Sequence, residues 1–329
     1  MLILSYICDM IDSCFHVGII GAGHIAEKAA TTLSGLLDMD CLAIASRSQK
    51  KAESFASIFG VPRAYGSYEA ILDDPDIDLI YIATVNSTHY EIAMKAVAKG
   101  KPCLVEKPFT MNADEARRLL AFAEEKGTFV AEAIWTRYQP ARDMIQSLIK
   151  EFGGAHLISA TLSYNISSKE RILSPELGGG ALLDLGVYGL NFVRMVDSSP
   201  VSRISSQCIK FQSGTDMSET ISLILEDGTM ACIQASACCE GDNTGTVSCK
   251  DVVIVADNLN NPQIIRVYRR NHELVKEVRV PEQITGYEYE FLECMECIRE
   301  GLIESPRMTH AESIYVMELM DKLREDWAS

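Results

Sequence analysis

The stretch Val17–Ala26 reads VGIIGAGHIA, an apolar run that breaks at Gly21-Ala22-Gly23 and resumes with helical spacing. This feature constrains the fold more than any other. Gly21 permits a tight turn after a strand, Gly23 leaves space beside the backbone, and Ala26 is small enough for a helix to pack close to the strand. The pattern then repeats: apolar runs at Val17–Ile20, Cys41–Ser46, Arg63–Tyr65, Leu79–Ala83, Cys103–Val105 and Thr128–Ala131 alternate with helical patterns at Lys50–Phe59, Tyr90–Ala98 and Ala113–Lys126. Asn112 is placed to cap the last of these. Nearly continuous apolar strands imply a sheet covered on both faces. The expectation is an α/β, doubly wound parallel sheet over residues 1-132.

After Pro140 the texture changes. One helical pattern, Ala141–Lys150, is followed by β-rich runs without helices between them, and Asp227-Gly228 predicts a hairpin inside ISLILEDGTMACIQASA. VVIVAD, IIRVYRR and ELVKEVRV continue in the same manner, and helical patterns at Tyr287–Glu300 and Ala311–Trp327 close the chain. Residues 133-329 are therefore expected to form an α+β domain with a large, mostly antiparallel open sheet. A chain of 329 residues suits two domains. Its net charge of −16 argues against a phosphate-backbone partner, so no nucleic acid is expected. No run is apolar enough for a bilayer, and MLILSYICDMI lacks a basic flank, so the first ~14 residues read as a ragged start without a membrane or secretory role. Eleven scattered cysteines imply reduced thiols and a cytoplasmic location. Cys294-Met-Glu-Cys297 has no second pair and reads as helix packing, Cys238-Cys239 are expected to adjoin on a strand facing opposite ways, and no metal-ligating set is expected.

A G-x-G-x-x-A turn between strand and helix, opening a βαβ series, points to a dinucleotide held by Gly21, Ala22, Gly23, His24 and Ile25 at the helix N-terminus. An acid ending the second strand would bond the ribose hydroxyls of NAD. Ser46-Arg47 stands there instead, and a hydroxyl with a guanidinium suits the 2′-phosphate of NADP. The expected cofactor is NADP, with NAD as the alternative. Ligands of open parallel sheets sit beyond the carboxyl ends of the strands. This places Thr84, Asn86, His89, Glu106 and Lys107 around the cofactor crevice. Farther on, Gly178-Gly179-Gly180 leads a helix that carries Asp184 and Tyr188 four residues apart, hence on one face. A phenol and a carboxylate can flank a substrate hydroxyl, and a nearby ammonium such as Lys107 is expected to lower the phenol's pKa.

Together GIIGAGHIA, ASRSQKKAESFASIFG, YIATVNSTHYEIAMKAVAKGKPCLVEKPFT, AEAIWTRYQPA, GGGALLDLGVYGLNFV and the closing ESPRMTHAESIYVMELMDKLREDW resemble the glucose–fructose oxidoreductase, inositol dehydrogenase and MocA (Gfo/Idh/MocA) family. The branch most similar is that of the dimeric dihydrodiol (xylose) dehydrogenases. The resemblance implies an N-terminal Rossmann domain and a C-terminal domain whose open sheet often forms a dimer interface. It implies that Lys107 is the active-site lysine, often before a cis proline, and that Tyr188 is the acid/base where other members carry histidine. Trp135 and Arg137 match a motif lining the nicotinamide and substrate pocket, and they and Arg171 are weaker candidates.

The combined reading is an NADP-dependent oxidoreductase. Hydride passes between the nicotinamide and a secondary alcohol or carbonyl of a sugar, polyol or cyclic diol. Lys107, Tyr188 and Asp184 are the catalytic residues, and the expected assembly is a homodimer or higher homo-oligomer. The alternatives are an NADP-binding sensor without catalysis and an oxidoreductase that never releases its cofactor.

Overall fold

The computed structural model describes residues 14–328. The N-terminal run read as a ragged start lies outside them, apart from Cys14. The first sheet contains β1 (Phe15–Ile20), β2 (Met39–Ala45), β3 (Arg63–Tyr65), β4 (Leu79–Ile82), β5 (Cys103–Glu106) and β6 (Val130–Ala133). Its order is β3-β2-β1-β4-β5-β6 and every pairing is parallel. The order reverses beside β1, and that switch point opens a crevice at the carboxyl ends of β1 and β4. The sequence-based strand at Thr128–Ala131 lies two residues downstream, since Val130 first pairs with Cys103. Asn112 caps the helix Ala113–Lys126 as expected, its Oδ1 accepting from the Glu115 N–H at 2.9 Å.

The second sheet runs β14-β13-β12-β11-β7-β10-β9-β8. Its strands are β7 (Leu157–Ser163), β8 (Val201–Lys210), β9 (Asp216–Leu225), β10 (Met230–Ser236), β11 (Gly245–Ser248), β12 (Val253–Ala256), β13 (Ile264–Tyr268) and β14 (Leu274–Arg279). Only β7 and β10 pair in parallel. The hairpin at Asp227-Gly228 joins β9 and β10: Gly228 takes φ 95°, and Asp227 Oδ1 accepts from the Thr229 N–H at 2.9 Å. Cys238 and Cys239 correct their expected strand position, because β10 ends at Ser236 and the pair lies in the bend that follows.

One face of the second sheet packs on the helix Val187–Val196 and the segment before it, through buried Ile221, Leu223, Ile233 and Ile254. The other face stays open. Late in the chain the helix Glu288–Arg299 returns to the first sheet, where Phe291 packs edge-on against Tyr81 with centroids 5.2 Å apart. Both are fully buried, and burial of Phe291 alone contributes about 2 kcal/mol. Cys294 and Cys297 sit on the buried side of this helix, which bears out their reading as packing residues. The ten cysteines among the described residues are all unpaired thiols. No helix among the described residues is long and apolar enough to cross a membrane.

Candidate active site

A cleft of about 710 Å³ opens between the carboxyl end of the first sheet and the segment 169–188. Its first wall is the glycine turn. Gly21 takes φ 108°, and a Cβ there would collide with the Ala83 carbonyl oxygen, so only glycine fits. Gly23 begins the helix His24–Ser34 without a side-chain cap, and the space beyond its Cα is open. The first N–H groups of that helix are therefore free to meet an anion. Gly21, Ala22, Gly23, His24 and Ile25 all line the cleft, as do Ser46 and Arg47 at the end of β2. Lys51 joins them from the first turn of the helix Gln49–Phe59, so this corner carries two cations and no carboxylate.

Thr84, Asn86, Glu106 and Lys107 also line the cleft. Asn86 spans it at one end, donating from Nδ2 to the Gly178 carbonyl at 2.8 Å. His89 does not reach the cleft. It is fully buried, with Nδ1 2.9 Å from the Pro108 carbonyl and Nε2 3.3 Å from the Thr84 carbonyl. Desolvation holds its pKa below the usual histidine value. Its work is to pin two loops, both of which carry cleft residues. The Lys107–Pro108 peptide is cis, as the resemblance implied.

Lys107, Asp184 and Tyr188 come together from separate elements. The Lys107 ammonium donates to Asp184 Oδ1 at 3.0 Å and to the Asp184 carbonyl at 2.9 Å. It lies 5.0 Å from the centroid of the Tyr188 ring. Asp184 belongs to a π-helical turn, Leu182–Gly186, that leads into the helix Val187–Val196, and such turns often mark functional sites. Arg171 grips the same carboxylate with both fork nitrogens, at 2.8 and 3.0 Å. Burial would raise the Asp184 carboxyl, but Lys107 and Arg171 outweigh it and hold the group far below the usual carboxylate range. Asp184 is thus a fixed anion that orients two cations.

Tyr188 corrects one expectation. Its pKa is raised well above the ordinary phenol value, first by burial and then by Tyr287, Glu106 and Asp184. Burial outweighs whatever the Lys107 ammonium contributes, since that ammonium is paired with Asp184 and sits over the ring. The group at rest is a neutral phenol. Its oxygen accepts from Trp135 Nε1 at 3.2 Å, and Trp135 stacks on Tyr287 with centroids 4.1 Å apart. Trp135 therefore backs the site without lining it. Arg137 lies deeper, 3% exposed, bound to Asn191 Oδ1 at 2.9 Å and to Glu312 at 2.8 Å. Neither lines the cleft: Trp135 reaches it only through the Tyr188 hydroxyl and the Tyr287 ring, and Arg137 is tied to Asn191 and Glu312. Glu106 accepts the Tyr81 hydroxyl and, at 3.1 Å, the Lys107 N–H, and burial lifts its carboxyl to about 6.

Lys28, Lys51, Tyr68, Lys169 and Tyr287 line the cleft without having been expected there. Lys51 has a local signal, five residues beyond Ser46 on a capped helix. Tyr287 has none, since nearly a hundred residues separate it from Tyr188.

The comparisons with known proteins agree with this architecture. Residues 15–133 match the GFO_IDH_MocA family model, described as "Oxidoreductase family, NAD-binding Rossmann fold", and residues 138–255 match the GFO/IDH/MocA C-terminal domain. The chain belongs to the GFO/IDH/MocA oxidoreductase family. It is 33% identical to the trans-1,2-dihydrobenzene-1,2-diol dehydrogenase of Xenopus laevis, over 94% of this chain and 96% of that one. The mouse protein of the same name is 32% identical over 94% and 95%. Among solved structures, the fold resembles KijD10, a 3-ketoreductase from Actinomadura kijaniata solved with NADP and TDP-benzene, with TM-score 0.86 at 22% identity over 95% of this chain and 98% of that one. It also resembles the aldose-aldose oxidoreductase of Caulobacter crescentus solved with glycerol, with TM-score 0.85 at 19% identity over 95% and 97%.

Proposed function

We propose that this protein is an NADP-dependent oxidoreductase that interconverts a secondary alcohol and its carbonyl on a sugar, polyol or cyclic diol. One observation carries the reading: the Lys107 ammonium and the Tyr188 phenol share one cleft, 5.0 Å from ammonium to ring centroid, with the glycine turn and Arg47 in the same cleft. NADP fits the residues present. The uncapped helix and the open space at Gly23 suit a pyrophosphate, and Ser46, Arg47 and Lys51 suit a 2′-phosphate. When bound, the nicotinamide supplies or takes the hydride. The dihydrodiol dehydrogenases at 32–33% identity support the substrate class.

The chain's own residues handle the proton. In reduction, the Tyr188 hydroxyl gives its proton to the carbonyl oxygen as that oxygen gains charge. Its raised pKa suits a donor that stays protonated at neutral pH. Lys107 places a positive charge beside the same oxygen, and Asp184 with Arg171 prevents the ammonium from swinging away. In oxidation Tyr188 first gives its proton to solvent, and the phenolate then takes the hydroxyl proton of the alcohol as hydride leaves. Lys107→Met and Tyr188→Phe are each expected to lower kcat by ~10²-fold or more, followed by NADPH absorbance across a screen of sugars, polyols and dicarbonyls. Normal turnover in both variants would overturn the assignment.

A second copy of the chain is proposed to cover the open face of the second sheet. Leu157, Met230 and Val253 stand on that face at 45%, 49% and 37% exposure. They sit on neighbouring strands, Met230 level with Leu157 and both Leu157 and Val253 level with Ser248. Met230→Lys is expected to shift the mass measured by light scattering from dimer to monomer. The unpaired thiols support a reducing, cytoplasmic setting.

A further inference from the structure

We propose that Cys14, His16 and Asp40 form a site for a divalent transition metal of the zinc class, at the pole of the first sheet opposite the cleft. The backbone brings the three together. Cys14 immediately precedes β1, and the two-residue period of an extended chain turns Cys14 and His16 to the same side. The β1–β2 register sets His16 level with Asp40. The thiol sulfur, an imidazole nitrogen and a carboxylate oxygen consequently lie within 4.8 Å of one another. His16 Nδ1 is 2.8 Å from Asp40 Oδ1. The strand end is held in place, since the His16 N–H donates to Asp78 Oδ2 at 2.8 Å. Each of the three residues is half-buried, so protein backs the cluster and solvent reaches it.

The donor set selects the metal class. One thiolate, one imidazole and one carboxylate suit Zn(II) or Co(II), whereas Mg(II) and Ca(II) require oxygen ligands throughout. Tetrahedral bonds of ~2.0–2.3 Å put ligands roughly 3.5 Å apart, so the His16–Asp40 pair at 2.8 Å has to open and any wider separation to close, shifts on the order of 1 Å within reach of side-chain rotation. Water takes the fourth position. Charge favours the same ion. Asp38, Asp40 and Asp78 stand around the thiol, and a dication in their midst offsets their mutual repulsion. On binding, the thiol proton passes to solvent and the sulfur–metal bond forms. The metal would clamp the chain before β1 to the start of β2. The cleft lies at the far ends of these strands, so turnover does not depend on the site.

The test is a titration of the metal-free full chain with Co(II), followed by displacement with Zn(II). One equivalent is expected, with a thiolate-to-cobalt absorption band and an affinity in the micromolar range or tighter. Cys14→Ser is expected to abolish the band, and Asp40→Asn, which keeps the thiol, to weaken binding by about tenfold. Zn(II) is expected to raise the melting temperature of the wild type and not of Cys14→Ser, and Mg(II) to raise neither. Absence of the band, or its persistence in Cys14→Ser through another thiol, overturns the proposal. So does a melting temperature indifferent to Zn(II) in the folded wild type.

Discussion

At the level of single residues, the arrangement turns on which charges are already paired. Asp184 is 7% exposed and engages Lys107 and Arg171 together, and a buried carboxylate tolerates that position only because both cations reach it. Arg47 has the opposite character. It lines the cleft with no acid at the end of β2 to oppose a phosphate. Arg47→Ala is therefore expected to raise KM for NADP by tenfold or more and to leave KM for NAD nearly unchanged, about 1.4 kcal/mol of selectivity. Steady-state kinetics with both cofactors measure it, and equal losses would remove Arg47 from the 2′-phosphate site.

Among the elements, the helix Val187–Val196 carries Tyr188 into the cleft, and a buried ion network fixes it from behind. Glu312, on the final helix His310–Ala328, accepts from Arg194 Nε at 2.9 Å and Nη2 at 3.0 Å, and from Arg137 at 2.8 Å. Both arginines are at least nine-tenths buried. Removal of the shared carboxylate leaves two buried cations facing each other. Glu312→Ala is expected to destabilise the fold by about 3–5 kcal/mol in urea unfolding, far beyond an exposed pair such as Lys95–Glu69. Glu312→Gln keeps the shape but not the charge, so recovery of most stability in Gln would show that packing, not ion pairing, is what matters.

For the molecule as a whole, the pH dependence of stability follows from buried acids. Burial lifts Glu132 to about 7 and Glu106 to about 6, and raises Glu219 and Glu290 well above the carboxylate range. A group whose folded pKa is raised stabilises fully below its unfolded value and loses that contribution as pH rises through the folded one. The folded chain thus holds more protons than the unfolded chain from about pH 5 upward, so stability falls between about pH 5 and pH 8. The net charge of −16 acts in the same direction through self-repulsion. Asp184 and Glu312 have lowered values and oppose this only in acid. The melting temperature is expected to be higher at pH 6 than at pH 8, with Glu132→Gln flattening the slope; a rise toward pH 8 would contradict the burial argument.

Most of the first sheet was legible in the chain because its signals are local. Apolar runs, the glycine turn and the Asn112 cap each arise within a few residues, and the carboxyl-end rule then brings Thr84, Glu106 and Lys107 to one crevice. The second sheet was legible as a kind but not as an order, since adding β7 beside β10 is a long-range pairing without local trace. What only the tertiary structure decided is where each charge and ring points. His89, Trp135 and Arg137 turn inward, Tyr287 returns from a distant segment, and Lys107 meets Asp184 instead of the Tyr188 hydroxyl. Backbone preference is set by neighbours in sequence. Electrostatic partnership and desolvation are set by neighbours in space, and those exist only once both sheets have packed.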